Sequence, residues 1–189
     1  MKIIDVGEKK AINALLYFIT KVKYPYKTKL FKLLYFWDFM HFRETGRPAT
    51  NFEYFTLKNG PVPLKLHNAI KDNKLSDDFR NNIGIFEETT DSGIRITNFI
   101  PKKKCDLTVF SEREKRLLEE ISIIFRDAKA GTMTEVTHLK NTPWEKTLKE
   151  KGLYKKIDYH LALDDKAKVD ETTAKERIYL REEMFKLFS

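Results

Sequence analysis

The chain has 189 residues, of which 41% are hydrophobic and 13% aromatic, so it carries enough apolar side chains to build a sizeable core. This composition excludes an intrinsically disordered protein, and the length favours one domain with a terminal extension over two full domains. The 36 Lys and Arg residues against 28 Asp and Glu give a net charge of +8, which permits an anionic partner without identifying one.

The cysteine content and the amino terminus indicate a cytoplasmic protein. Cys105 is the single cysteine, which excludes an intrachain disulfide and a thiol-based zinc or redox motif. Residues 1–5 do not begin the apolar segment of a signal peptide. No stretch approaches the roughly 20 apolar residues that span a bilayer, so we expect no membrane contact.

Two helices are predicted in the first quarter of the chain. Apolar residues at helical spacing indicate an amphipathic helix over about 8–22, which ends before Pro25. A second helix is expected to begin after an N-cap at Thr28 and to stop at Gly46. Its apolar residues point in almost every direction around the axis, which places this helix at the centre of a domain, with Trp37 buried.

The middle of the chain carries strand signals. Residues 52–55 form a short run of strand formers, which we expect to end at 59–63 because the prolines there stop sheet pairing. Helical spacing resumes over 64–70. Two further strand patterns, at 83–88 and 94–100, flank a hairpin turn. The prediction is one small antiparallel sheet of about three strands in a predominantly helical α+β fold.

The carboxyl-terminal half is predicted to be helical. Capping-box spacing occurs at 111–114 and at 132–135, so a helix should start at each place. Pro143 fits the first turn of a short helix that carries Trp144, whose side chain we expect to pack onto the core. A last apolar pattern over 179–187 indicates a terminal helix.

The organisation predicted from these elements is a single domain over residues 1–160, followed by a C-terminal extension over 161–189 that carries the terminal helix. Lysines are spread along the chain among acids, and the one tight basic run, at 102–104, is expected to be a solvated loop. Dispersed charge of this kind predicts at most weak, non-specific binding of nucleic acid.

A search for catalytic chemistry finds no pattern that supports an enzyme. The chain contains no Gly-x-Ser-x-Gly elbow, and its seven glycines do not form a phosphate-binding fingerprint. The four histidines are far apart and do not pair at metal-ligand spacing. We therefore expect a binding protein with no catalytic residue, no metal and no cofactor.

Asp38 and His41 stand out on the apolar central helix, where they are three positions apart and therefore neighbours. A buried carboxylate must find hydrogen-bond donors, because an unpaired charge in the core is strongly destabilising. Either Asp38 accepts bonds from His41 or from loop amides and holds the core together, or the pair forms the floor of a partner-binding groove. A third possibility is a hydrolase that uses both residues, although the sequence supplies no nucleophile.

Three separated segments carry a family signature. They are Lys32-Leu33-Leu34-Tyr35-Phe36 followed by His41 and Gly46-Arg47-Pro48, then Gly60-Pro61-Val62-Pro63, and last His138 followed by Pro143-Trp144. In this order they resemble the Panacea domain, also called the SocA-like antitoxin domain, over roughly residues 12–150. The chain departs from that pattern at Asp38, at Asn59 and at the spacer residues Lys140 and Asn141, where partner specificity is expected to vary.

The resemblance implies a bacterial or phage-borne antitoxin that binds a toxin protein encoded beside it and holds the toxin inactive. It also allows an adaptor role, in which the toxin is delivered to a protease. The alternative from another class is a nucleic-acid-binding regulator, which the net charge alone supports. The residues that match the structural motif of the family are Gly60, Val62, His138, Pro143 and Trp144.

The partner surface is expected where the turn at 60–63 meets the exposed end of the central helix, because turns carry recognition while a helix supplies rigidity. A tyrosine suits such a surface by combining a large apolar area with a polar tip. A charged residue adds a charge-assisted bond that a mismatched partner cannot form. The candidate partner-binding residues are Tyr35, Asp38, His41, Asn59 and Pro61.

Overall fold

The computed structural model describes residues 6–188, so the prediction about a signal peptide at residues 1–5 lies outside the described part. Its α-helices are α1 (Val6–Lys21), α2 (Lys27–Thr45), α3 (Leu64–Lys71), α4 (Asp77–Asn82), α5 (Glu112–Phe125), α6 (Ala130–Thr137), α7 (Pro143–Lys151) and α8 (Glu171–Phe188). Its strands are β1 (Tyr54–Leu57), β2 (Gly60–Pro63), β3 (Ile83–Thr89) and β4 (Arg95–Pro101). The predominantly helical α+β fold predicted from the sequence is thereby confirmed.

Helix α2 lies at the centre of the fold, as its apolar sequence predicts. Leu30, Leu33, Leu34 and Trp37 on this helix are completely buried. The Trp37 indole Nε1 donates a hydrogen bond of 3.2 Å to the Glu114 carbonyl on α5, which satisfies its one polar atom. Helices α1 and α5 and the strand β2 pack around α2, so this helix contacts all three of these elements.

The two ends of α2 differ in how well the sequence predicts them. Tyr26 is the N-cap residue, so Thr28 lies inside the first turn and not at the cap. The predicted stop at Gly46 is confirmed, because its backbone adopts a φ of 65° and closes the helix. A Cβ atom at this glycine would also lie 2.8 Å from the Ala174 Cα of α8, so close packing requires glycine as well.

Within residues 6–188 the strands form two separate antiparallel sheets of two strands each, which corrects the prediction of one sheet with about three strands. The pairing of β3 with β4 confirms the predicted hairpin. The partner of β1 is β2, in the segment where the prolines were expected to stop pairing. The first strand therefore closes a local hairpin and does not join the distant one.

Prolines are tolerated in β2 because of the pairing register. Pro61 lies opposite Thr56, and Pro63 lies opposite Tyr54. The Thr56 N–H donates a 2.9 Å bond to the Lys155 carbonyl on the other side of β1. Thr56 and its partner therefore form a pair without hydrogen bonds across the hairpin. A proline nitrogen at such a position sacrifices no bond of the ladder.

Helix starts in the second half follow the sequence in part. At α5 the capping box is confirmed, since the Ser111 hydroxyl accepts a bond from the Glu114 N–H while the Glu114 carboxylate accepts one from the Ser111 N–H. The second predicted capping box is wrong, because α6 has Lys129 as its N-cap and Thr132 lies inside the helix. Pro143 occupies the first turn of α7, as predicted. The basic run at 102–104 is exposed, as expected for a solvated loop.

The C-terminal segment packs back onto the core through α8, which confirms the predicted terminal helix. Ala174 is completely buried, and the Arg177 guanidinium donates a 2.8 Å bond to the Thr45 carbonyl at the end of α2. A cation at the carboxyl end of a helix also interacts favourably with the helix dipole. The division between a domain ending at residue 160 and an extension stays a prediction.

Candidate functional site

A groove of about 220 Å³ separates the amino-terminal end of α2 from the β1–β2 hairpin, and we call it the hairpin groove. Its lining residues are Lys27, Thr28, Phe31, Lys32, Leu57, Lys58, Asn59, Pro61, Val62, His67 and Tyr154. The formally charged side chains of this lining are all lysines, so its charge is positive. Aromatic and aliphatic groups form much of the walls. Such a surface suits a partner segment that combines apolar contact with negative charge.

Gly60 brings the tip of the hairpin onto α2. Its backbone adopts a φ of 116°, which side-chain-bearing residues rarely adopt. A Cβ atom here would lie 2.8 Å from the Lys32 Cε and 3.0 Å from the Thr137 Oγ1. Glycine is therefore required both by the backbone conformation and by the close approach of the lysine.

Lys32 is a buried cation with little support from the protein. Only 1% of the residue is exposed, and burial lowers the pKa of its amine to about 8. Its Nζ donates a 2.8 Å bond to the Thr134 hydroxyl on α6, which itself lies 3.5 Å from the Asn59 carbonyl. Among residues 6–188 this hydroxyl is the only acceptor bonded to the ammonium, which has three protons to donate.

Lys29, one turn earlier on α2, shows what a fully supported buried lysine looks like. It is completely buried, and its Nζ donates to the carbonyls of Lys23, Arg126 and Ala128 at 2.8, 3.2 and 2.7 Å. Burial also lowers the pKa of this amine to about 8. These three bonds tie the end of α5 to the α1–α2 connection, so Lys29 has a structural role and no unused donor.

His138 and Trp144 form a stacked pair beside Lys32. Their ring centroids are 3.8 Å apart and their planes differ by 3°. Trp144 is 4% exposed, which confirms its predicted burial. Burial, followed by the charge of Lys32, lowers the pKa of His138. The Tyr35 hydroxyl lies close to the backbone of Trp144, so all three signature segments meet at one place.

We call Lys32, Tyr35, Thr134, His138 and Trp144 the polar cluster. Within the described part of the chain, three buried polar atoms of this cluster have no hydrogen bond of normal geometry, namely the Tyr35 hydroxyl, His138 Nε2 and Trp144 Nε1. Buried polar atoms are usually bonded, so a local group of exceptions marks a candidate functional region. The cluster lies beneath the hairpin groove, to which Lys32 belongs as a lining residue.

Asp38 belongs to a different, well-satisfied network. Its carboxylate accepts bonds from the Thr50 N–H at 2.7 Å, the Thr50 hydroxyl at 2.5 Å and the Tyr54 hydroxyl at 2.8 Å. Complete burial raises its pKa to about 6 although these bonds oppose the shift. The prediction that loop amides satisfy Asp38 is confirmed, whereas no bond from His41 is formed. Asp38 therefore anchors the loop that leads into β1.

His41 bonds to other groups altogether. Its Nδ1 lies 2.7 Å from the Arg47 carbonyl, and its Nε2 lies 3.9 Å from a Glu114 oxygen that pairs with Lys10. Burial lowers the pKa of His41. Because Asp38 and His41 belong to separate networks, they do not form the acid–base pair that a hydrolase would need.

The five predicted partner-binding residues are divided between the surface and the core. Asn59 and Pro61 line the hairpin groove. Tyr35 and Asp38 are 2% and 0% exposed, and His41 is largely buried. The structure places these three in the core and not at the exposed junction of the turn with the central helix, where they were expected. Partner contact by Asn59 and Pro61 stays a prediction.

Of the groove residues absent from the predicted partner-binding set, Lys32 and Tyr154 matter most for the chemistry of the groove. Lys32 could have been found from the sequence, since a lysine inside an all-round apolar helix must be buried or specially paired. Tyr154 could not, because it follows α7 and reaches the groove only through the fold. It is 73% exposed with a φ of 59°, held by a 2.6 Å bond from its N–H to the Thr56 carbonyl.

Other features of the described residues offer less chemistry. A larger cleft, of about 570 Å³, lies between α8 and the loop at 47–53, with both acidic and basic residues in its lining. Burial raises the pKa of the Cys105 thiol to about 11, which keeps it protonated at neutral pH. Residues 6–188 contain no group of three His, Cys, Asp or Glu side chains placed to hold a metal ion. In the same range no helix is long and apolar enough to cross a bilayer.

Comparison with known proteins identifies a family. A family model described as antitoxin SocA-like, Panacea domain, matches residues 30–145, which is more than half of the chain. The matched region contains α2 from residue 30 onward, both sheets and the polar cluster. Neither the curated proteins nor the solved structures contain a match.

Proposed function

Because this chain belongs to the SocA-like Panacea antitoxin family, we propose that it is an antitoxin that binds a toxin protein encoded beside it and holds the toxin inactive. The observation that carries the proposal is the convergence of the three signature segments on one place, the polar cluster beneath the hairpin groove. The antitoxin acts by occupying its partner and not by catalysis. Delivery of the toxin to a protease is a separate activity that the test below distinguishes.

The hairpin groove is the proposed binding surface. Asn59 and Lys58 are exposed at the tip of the hairpin, and Tyr154 presents a large aromatic ring on the rim. A non-glycine residue held with a positive φ costs conformational energy, and such residues concentrate where recognition occurs. Exposed aromatic side chains beside a concave surface are typical anchors of protein interfaces. The groove therefore combines a rigid wall, provided by α2, with an adaptable edge.

The hydrogen bonds of the residues considered for catalysis also agree with a binding mechanism. Asp38 accepts three hydrogen bonds that hold the loop before β1, and His41 bonds to the Arg47 carbonyl. Cys105 donates its S–H to the Asn13 carbonyl at 3.2 Å. These three side chains are thus engaged in structural bonding, which supports binding over catalysis as the mode of action.

The test is co-expression of the neighbouring reading frame with this protein. We expect that frame alone to stop growth, and the parent protein to restore growth and to co-purify with its product. Tyr154→Ala should lose rescue, whereas Tyr179→Ala should keep it, because Tyr179 is also an exposed tyrosine, at 61% against 73%, but lies on α8. Alanine also carries a Cβ atom, so Tyr154→Ala leaves the backbone strain unchanged.

The possible outcomes separate the parts of the proposal. A neighbouring product that is harmless would refute the antitoxin assignment itself. Equal rescue by both tyrosine variants, with both folded, would refute the hairpin groove as the binding surface. Rescue accompanied by disappearance of the toxin, and blocked by deleting the proteases of the host, would replace direct neutralisation with delivery to a protease.

A further inference from the structure

We propose that Lys32 receives a carboxylate from the partner toxin, supplied by an Asp or Glu side chain that enters the hairpin groove. This inference rests on the proposed function, because it names the chemistry by which that binding surface recognises its partner. It starts from the comparison of two lysines on the same helix. Lys29 donates to three carbonyls, whereas Lys32 donates to one hydroxyl.

The unused donors of Lys32 define what is missing. A buried ammonium needs acceptors or a counter-ion, since removal from water is otherwise costly. Within residues 6–188 Lys32 forms no ion pair, and burial alone accounts for its perturbed titration. The groove lining contains no Asp or Glu, and its other charged or chargeable nitrogen groups are Lys27, Lys58 and His67, which cannot supply negative charge. The groove therefore offers Lys32 no counter-ion of its own, and a carboxylate from outside the chain would supply one.

The shape of the groove favours a protein carboxylate over a nucleic-acid phosphate. Its volume of about 220 Å³ is suited to one or two side chains. Its walls include the apolar residues Phe31, Leu57 and Val62, which would contact the aliphatic part of an Asp or Glu side chain or a neighbouring residue. A backbone of phosphates requires an extended basic track, and the lysines of this chain are dispersed among acids.

The position of Lys32 also couples binding to the fold. Its Nζ would lie 3.6 Å from a Cβ atom at position 60, and the Thr134 hydroxyl that it contacts reaches the Asn59 carbonyl. A carboxylate on Lys32 would therefore touch the hairpin, α2 and α6 at one point. A buried, hydrogen-bonded charge pair of this kind contributes to affinity mainly by slowing dissociation.

The first experiment uses acetate as a carboxylate probe of the full chain. Lysine Cε signals are followed by NMR at about pH 6.5, where Lys32 is charged, while acetate replaces chloride at constant ionic strength. We expect a saturable shift of the Lys32 signal and no saturable shift of the Lys29 signal. Equal behaviour of the two lysines, or a shift with inorganic phosphate and none with acetate, would overturn the assignment.

The second experiment uses the toxin encoded by the neighbouring reading frame and two matched variants. Lys32→Met should fold at least as well as the parent, because it removes a poorly supported buried charge, but should bind the toxin about 30-fold more weakly or worse. Lys29→Met should lower the unfolding midpoint yet bind with the dissociation constant of the parent. A Lys32→Met protein that binds like the parent would overturn the inference.

Failure of the inference differs from failure of the proposed function. If the neighbouring product is harmless while acetate still binds at Lys32, the carboxylate site stands and the antitoxin assignment falls. In the opposite case the parent neutralises the toxin, and each Asp and Glu of the toxin is replaced in turn by its amide. If no replacement weakens binding to the parent more than binding to Lys32→Met, the antitoxin assignment stands and the role of Lys32 is refuted.

Discussion

Replacing Gly60 by alanine tests the contact that joins the hairpin to the polar cluster. Gly60 has a φ of 116°, and a Cβ atom there would lie 2.8 Å from Lys32 Cε. Gly93 is a matched control on this chain, because it also has a positive φ, of 78°, but its Cβ atom would meet no atom within 4 Å. Both alanine variants therefore carry backbone strain, and only Gly60→Ala carries a clash.

The expected magnitudes follow from these two differences. A positive φ costs an alanine about 1–2 kcal/mol, and the smaller entropy of the unfolded chain returns about 0.4–1 kcal/mol. Gly93→Ala should therefore lower the free energy of unfolding by about 1 kcal/mol. Gly60→Ala must also displace Lys32 and weaken its bond to Thr134, which adds about 1.5–3 kcal/mol for a hydrogen bond made by a charged group.

The assay is equilibrium urea unfolding of the parent and both variants, repeated in a Lys32→Ala background. Truncating Lys32 removes the atom that the new Cβ would approach most closely, while the Thr137 Oγ1 at 3.0 Å remains. Gly60→Ala should therefore cost about 1.5–3 kcal/mol less there than in the parent. Gly93→Ala should cost the same in both backgrounds. Equal costs for the two glycine variants, or a Gly60→Ala cost independent of Lys32, would refute the close-approach argument.

Three further predictions concern the core, its pH dependence and the net charge. Trp144→Ala should lower the free energy of unfolding by about 3–5 kcal/mol, and an unchanged denaturant midpoint would show that α7 is not part of the main core. Asp38 has a folded pKa of about 6, above its unfolded value, so its contribution to stability should be complete below about pH 4 and lost as the pH rises through about 6. The unfolding free energy of Asp38→Asn, measured from pH 3 to about 8, should lack that decline, and a parallel profile would contradict the assigned pKa. Nucleic acid should bind weakly and without sequence preference, and a selective complex at about 200 mM salt would favour a regulator over an antitoxin.

The parts of the fold that could be predicted from sequence are those governed by local patterns. Helix α2 follows from apolar residues on all sides of one helix, and its end follows from Gly46 in a left-handed conformation. The start of α5 follows from the reciprocal bonds of Ser111 and Glu114. In each case the residues that determine the structure lie within a few positions of one another.

Strand pairing could not be predicted because it depends on register. Proline rules gave the wrong expectation for Pro61, since the rule depends on whether the partner residue bonds across the hairpin. That information is carried by Thr56, whose N–H is already bonded to Lys155 about 100 positions later. A segment distant in sequence thus decides which positions in β2 can accept proline.

The candidate site was predicted only in part, again because contacts with residues outside the local pattern decide which groups bond. Asp38 and His41 are three positions apart, but successive residues turn by about 100° around a helix, so their side chains differ by about 60° in direction. Over that angle Asp38 meets Thr50 and Tyr54, whereas His41 meets Arg47. Spacing along a helix therefore established that the two residues are neighbours but not that they share a bond.

Lys29 and Lys32 show why burial and function must be separated by counting hydrogen bonds. Both lysines lie on the same helix with nearly complete burial, and burial lowers the pKa of both amines to about 8. They differ in what surrounds them, because three chain carbonyls converge on Lys29 and a single hydroxyl reaches Lys32. The same helix thus places one buried ammonium among enough acceptors and the other among too few. The incomplete coordination of Lys32, next to a groove whose formal charges are all positive, is therefore a local property of the surface that a negatively charged partner would complete.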